Sequence, residues 1–157
     1  MQLHLEQEIN APAERVWAVL GQQFAEIERW SSTVETSRSL DASEVPAGVV
    51  ADPAAPVLGR ETVSALVTAK EILVRYSDAD AELTFAVAGL PKIIKHARNT
   101  QGVRALGGGR SVVTFDVDLE AWGPFKVLMP VMRRRMSKTF SKVLGDLRGY
   151  VEGSGAA

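Results

Sequence analysis

The chain has 157 residues, with 18 Lys plus Arg against 19 Asp plus Glu, no Cys, two His, 46% hydrophobic and 24% charged residues. That is the composition of one globular domain with a core to bury, and it excludes wholesale disorder, a disulfide scaffold, a thiol nucleophile and a cysteine-held metal. A net charge of −1 argues against a uniformly basic nucleic-acid binder.

In chain order, Leu3, Leu5 and Ile9 share one parity with Gln7, while His4, Glu6 and Glu8 share the other. That is a strand with one buried face. Asn10-Ala-Pro-Ala-Glu14 reads as a helix start, with a capping side chain, an early proline and an acid in the first turn. Val16, Trp17 and Leu20 give the helix a short apolar stripe that Gly21 can end, and Phe24, Ile27 and Trp30 mark a second short helix. Strand patterning returns over 33–40. Residues 41–58, with Pro46, Pro53 and Pro56, read as a long surface loop.

Strands are then expected over 60–66, 69–77, 82–88, 93–106 and 110–121. Asp78-Ala-Asp80 and Gly107-Gly108-Gly109 supply turns. In the last strand Val113, Phe115, Val117 and Leu119 alternate with Thr114, Asp116, Asp118 and Glu120. Gly123-Pro124 is expected to end the sheet and open the longest helix, to about Val151, with Pro130 kinking it or marking a late start. Phe125, Met129, Met132, Met136, Val143, Leu147 and Tyr150 recur at steps of three and four, with Thr139 in the one gap. A flexible tail, 153–157, closes the chain. No apolar run reaches the ~18 residues of a spanning helix, and the first residues lack the pattern of a signal peptide, so a cytoplasmic location is expected.

One helix about 10 Å wide must therefore cover a sheet of seven strands spaced ~4.8 Å apart. With aromatic residues at only 6%, a cavity between helix and sheet is expected. Methionine is flexible and polarizable, so Met129, Met132 and Met136 on the helix stripe suit the wall of a site for a bulky apolar ligand; packing against the sheet accounts for the same spacing.

Ile9-Asn-Ala-Pro-Ala-Glu-Arg-Val-Trp17, followed by Leu20 and then Trp30, resembles the opening signature of the SRPBCC superfamily. This helix-grip group includes polyketide cyclases/dehydrases, START-type lipid-transfer domains and birch-pollen allergen relatives. Gly59-Arg60, Glu71-x-Leu73, Phe85 and Gly108-Gly109 are further matches, so the resemblance spans nearly the whole chain. It implies an α+β helix-grip fold in a single domain over 1–152: a seven-stranded curved antiparallel sheet wrapped around a long C-terminal helix, with two short helices after the first strand.

The resemblance implies binding, and by extension transport, of a hydrophobic or amphipathic small molecule such as a polyketide, isoprenoid or lipid. Trp30, Phe85, Phe115, Phe125, Met129, Met132 and Met136 are the candidate ligand contacts. The second reading is a cofactor-independent polyketide cyclase, aromatase or dehydratase. In that reading buried polar groups hold carbonyls and stabilise enolate charge as a ring closes, with Arg60, Glu71, Tyr76 and His96 as candidates. Arg60 with Glu71 reads equally as a cross-strand ion pair.

No metal or other cofactor is expected, since His4 and His96 are not spaced as ligands. Residues 1–90 carry six basic against fourteen acidic residues, and residues 91–157 twelve against five. The basic share includes Arg133, Arg134, Arg135, Lys138 and Lys142, of which Arg134, Arg135, Lys138 and Lys142 cover the back of the helix, opposite the methionines. A third reading is contact of that face with an anionic membrane or a protein; a solvated helix face gives the same pattern.

Overall fold

In a computed structural model, which describes residues 1–154, the opening alternation becomes strand β1 (Gln2–Ile9), with Leu3 and Ile9 buried and His4, Glu6 and Glu8 exposed. The chain turns at Pro12, the N-cap of α1 (Ala13–Trp17), which runs on through a π-helical turn (Ala18–Gln22) into a 3-10 helix (Phe24–Arg29). Asn10 does not cap that helix; its amide donates to Glu152 near the other end of the chain, at 2.8 Å. The strand expected over 33–40 shortens to β2 (Thr36–Ser39), because Ser31 and Val34 spend their amides on turns, bonding Ile27 and Ser31 carbonyls.

The meander follows: β3 (Gly59–Val63), β4 (Thr68–Ser77), β5 (Glu82–Ala88), β6 (Ile94–Gly107) and β7 (Arg110–Ala121). All pairs are antiparallel, in the order β1-β7-β6-β5-β4-β3-β2. The β6–β7 turn needs left-handed backbone, and Gly107, Gly108 and Gly109 supply it with φ of 86°, 64° and 74°. Strand β2, at one edge, is four residues long. Its Arg38 reaches both Glu44 oxygens at 2.9 and 2.7 Å and Glu61 of β3 at 3.3 Å. The 41–58 loop is tied to the sheet at a bulge of β4. There the Asp52 amide donates to Leu73 at 2.8 Å, and its carboxylate accepts from the Tyr76 amide at 2.9 Å.

The terminal helix departs most from the sequence pattern. Gly123–Leu128 is a 3-10 helix, and α2 is Met129–Ser154. Pro130 therefore falls in the first turn, where its missing N–H has no acceptor to lose, which is the late start rather than the kink. The buried stripe is Val143, Leu144, Leu147 and Val151, with Phe140 partly buried beside it. Each such side chain stabilises by ~2 kcal/mol on leaving water, so the C-terminal half of α2 holds the helix to the sheet. Residues 153 and 154 belong to the helix; the rest of the expected tail, 155–157, lies outside the described residues. No helix among them is long and apolar enough to cross a membrane.

Candidate functional site

Between the sheet and α2 lies a cavity of ≈160 Å³. Its floor is the concave face of the sheet, with Arg60 and Thr62 of β3, Glu71 of β4, Phe85 of β5, Gln101 of β6 and Phe115 of β7. Leu20 and Ile27 come from the short helices, Trp30, Thr33 and Val34 from the following turn, and Thr139, Phe140 and Val143 from α2. Two aromatic contacts frame it: Phe24 against Phe85 with centroids 5.7 Å apart, and Phe115 edge-on to Phe140 at 6.0 Å.

Arg60 and Glu71 are directly opposed across β3 and β4. The approach depends on Gly59, where a Cβ would lie 2.3 Å from the Glu71 carbonyl oxygen and 2.9 Å from the Ile72 Cα. Arg60 is 4% exposed. Its Nε donates to Glu71 Oε2 at 2.5 Å and its Nη1 to the Phe24 carbonyl at 2.8 Å, while the guanidinium stacks 3.8 Å from the centre of the Phe24 ring. This settles the parity of β4: Glu71 faces the cavity and Ile72 the other side. A buried ion pair loses nearly as much in desolvation as it gains in attraction. Its value here is two fixed polar groups in an otherwise largely apolar wall.

Two polar groups in this region lack partners. The indole Nε1 of Trp30 is buried and unbonded, as are both amide atoms of Asn99. Asn99 shares the inward parity of β6 with Gln101. An unbonded buried donor costs ~1–3 kcal/mol, so a molecule offering an acceptor to Trp30 would gain from it.

The other candidates fall elsewhere. Tyr76 is buried beside Trp17 at 5.4 Å between ring centres; both donate to Asp78 Oδ1, at 2.9 and 2.8 Å. Burial, then Asp78, pushes the phenol well above its usual range, while the Trp17 and Tyr76 bonds lower the Asp78 carboxyl. Tyr76 keeps its proton, as a tie between helix and strand. His96 lies on the outer face of β6, 3.2 Å from Asp118 and 3.6 Å from Glu120.

Phe125 is exposed, and Met129, Met132 and Met136 are half-buried outside the cavity lining. On α2 the cavity is lined by Thr139, Phe140 and Val143, beyond the methionines. At 1.5 Å per residue Met136 stops about 4.5 Å, and Met132 about 10 Å, short of Thr139 along the axis. Sequence reasoning missed Phe140 and Gln101 as lining residues. Gln101 carried a signal, since it shares the parity of Val103. Among the described residues, no three His, Asp or Glu side chains gather to hold a metal ion.

A family model described as polyketide cyclase / dehydrase and lipid transport matches residues 2–152. Comparison with curated proteins finds no match. Among solved structures, XoxI from Bacillus cereus is similar with TM-score 0.75 at 15% identity, over 96% of this chain and 94% of that one. A START superfamily protein from Mycobacterium smegmatis has TM-score 0.73 at 15% identity, over 97% of both chains. The di-domain aromatase/cyclase BexL of the BE-7585A biosynthetic pathway has TM-score 0.77 at 12% identity, with 97% of this chain covering 46% of that one. At such identities these likenesses establish the fold.

Proposed function

Because the chain belongs to the polyketide cyclase / dehydrase and lipid transport family, we propose that it binds a small amphipathic molecule in the cavity between sheet and α2. The ligand puts an apolar ring or branched end against Phe85, Phe115, Phe140 and Val143, and a hydrogen-bonding group against Arg60, Glu71 and Trp30 Nε1. The observation that carries this reading is the lining itself, a largely apolar wall into which an ion pair, one unbonded indole donor and the polar side chains of Thr33, Thr62, Gln101 and Thr139 are set. Size sharpens it. A cavity of about 150 Å³ takes a benzene ring, whereas pockets enclosing drug-sized ligands run to ~300–1,000 Å³. At ≈160 Å³ one ring fits, and a fused polyketide or a long lipid requires α2 to swing away or part of the ligand to remain outside.

Native mass spectrometry of freshly purified protein, together with titration by an apolar fluorescent dye, tests the reading. Val143→Trp fills the cavity from α2, so dye uptake should vanish with the melting transition retained. Unchanged uptake in that variant overturns the placement.

The catalytic reading, cyclisation or dehydration, is favoured by one observation: the ion pair lies in the cavity wall rather than outside it. There Glu71 would take a proton alpha to one carbonyl while Arg60 holds the enolate oxygen. The enolate carbon would bond to a second carbonyl of the same chain, whose oxygen takes the proton back from Glu71 and then leaves as water with a second alpha proton. A poly-β-ketone analogue released unchanged from both the native protein and Glu71→Gln identifies a carrier.

A further inference from the structure

Large apolar side chains between residues 122 and 131 stay out of the core. In a 3-10 helix side chains at i and i+3 eclipse. Phe125 and Leu128 inside Gly123–Leu128 therefore lie in line, with extended Trp122 before them at the N-cap and Val131 after them in α2. The four are 55%, 40%, 49% and 59% exposed, and Val127 alongside is 77% exposed. Contiguous apolar surface of this kind marks a contact site rather than ordinary surface.

Within the segment itself the charges are of one sign. Residues 122–138 contain Lys126, Arg133, Arg134, Arg135 and Lys138 and no Asp or Glu. All five cations are exposed, and none forms a salt bridge among the described residues. Farther along α2 the pattern reverses: Lys142 pairs with Asp146 and Arg148 with Glu152. At the other end of the row Lys95 lies over the Trp122 ring, 5.1 Å from its centre, and is paired with Glu120 at 3.3 Å, so that end adds no free cation.

We propose that segment 122–138 docks the protein on an anionic lipid bilayer. Trp122, Phe125, Leu128 and Val131 enter the headgroup region, where Trp is favoured and aliphatic groups leave water. Lys126, Arg134, Arg135 and Lys138 sit among the phosphates, each attracted by the surface potential, while Arg133, two residues beyond Val131, is turned toward His4 and Asp116 of the sheet. Charge complementarity selects this occupant, because the cations are spread along the 3-10 helix and the first three turns of α2 rather than focused on one point. The surface is separate from the cavity, so this inference stands or falls apart from the ligand reading.

Flotation with phosphatidylcholine vesicles, with and without phosphatidylglycerol, at low and high salt, tests it. Binding should require the anionic lipid and weaken with salt. It should fall about a hundredfold when Arg134, Arg135 and Lys138 are all changed to Gln, and drop also in Trp122→Ser/Val131→Ser. Brominated lipid should quench wild-type tryptophan fluorescence, whereas Trp122→Phe should float equally and lose that quenching. Melting curves check that each variant is folded. Absence of flotation at low salt, or binding indifferent to salt or to the Trp122/Val131 pair, overturns the proposal. So does a concentration-dependent dimer dissolved by Trp122→Ser without vesicle binding, which would mean that a second copy covers the row.

Discussion

Asp146 on the terminal helix holds Ser32 twice, its Oδ2 accepting from the Ser32 amide at 2.8 Å and from the hydroxyl at 2.7 Å. Ser32 sits between Trp30 and Thr33, both in the cavity wall, so one carboxylate fastens α2 to the turn beside the cavity. Asp146→Ala removes both bonds and should lower stability by ~1–2 kcal/mol in urea unfolding. If this latch limits entry, stopped-flow release of a bound apolar dye should speed up by about tenfold, the effect of roughly 1.4 kcal/mol. Unchanged release would separate this turn from the route of the ligand.

Arg60 and Glu71 predict a non-additive pair. Removing one partner strands a buried charge, so Arg60→Met or Glu71→Gln alone should cost ~3–5 kcal/mol. The double variant Arg60→Met/Glu71→Gln leaves neither charge unpaired and should recover much of that loss. Urea midpoints of the four proteins give the cycle, and simple additivity would show that the two side chains do not act together.

Gly59→Ala should also destabilise, by ~1–3 kcal/mol, because the added methyl meets the Glu71 carbonyl and the Ile72 backbone rather than a movable side chain. The displacement is predicted to propagate to the neighbouring Arg60. Dye affinity should then fall together with stability, read by titration of the folded variant below its transition.

Acid should weaken the fold at the 41–58 loop. The Arg38 guanidinium, then the Asp41 amide, hold Glu44 down at about 2, against an ordinary 4.5. The Ala54 and Tyr76 amides lower Asp52 as well. For groups depressed in the folded state, stability is present above the unfolded pKa and is lost as pH falls through the folded value. Urea midpoints should therefore decline between about pH 4.5 and 2, with a shallower decline in Glu44→Gln. His4 works in the opposite sense: hydrogen bonds to Asp116, then Glu6, raise it above 6.5. Its contribution is full below 6.5 and fades as pH rises through the folded value, a fading that His4→Gln should abolish.

The sheet was readable because period two survives in the residues themselves; Val113, Phe115, Val117 and Leu119 are all buried as their alternation requires. Arg60, Glu71, Trp30, Phe85 and Phe115 were likewise within reach of pattern and resemblance. The helix misled for a geometric reason. Counting from Phe125 assumed one continuous α-helix, but residues 123–128 advance as a 3-10 helix, and only the stretch from about Thr139 touches the cavity. Tyr76 and His96 needed the strand register, which bulges beside Val74 and Lys95 shift locally. The Ser32–Asp146 and Trp17–Asp78 bonds join residues 114 and 61 positions apart, and no local signal announces them.

The brevity of β2 has a consequence for the fate of the protein when crowded. A sheet that ends in a long, flat strand offers its unpaired backbone to any neighbour, the route to fibrils and exchanged domains. Here one border, β1, packs against α2. The other is four residues long and is spanned by the Arg38 guanidinium, bound to Glu44 and Glu61. Any strand arriving there must strip a charged network from water before it gains more than a few backbone bonds. A chain that keeps an apolar row and a hollow interior thus closes the border through which such proteins most readily aggregate.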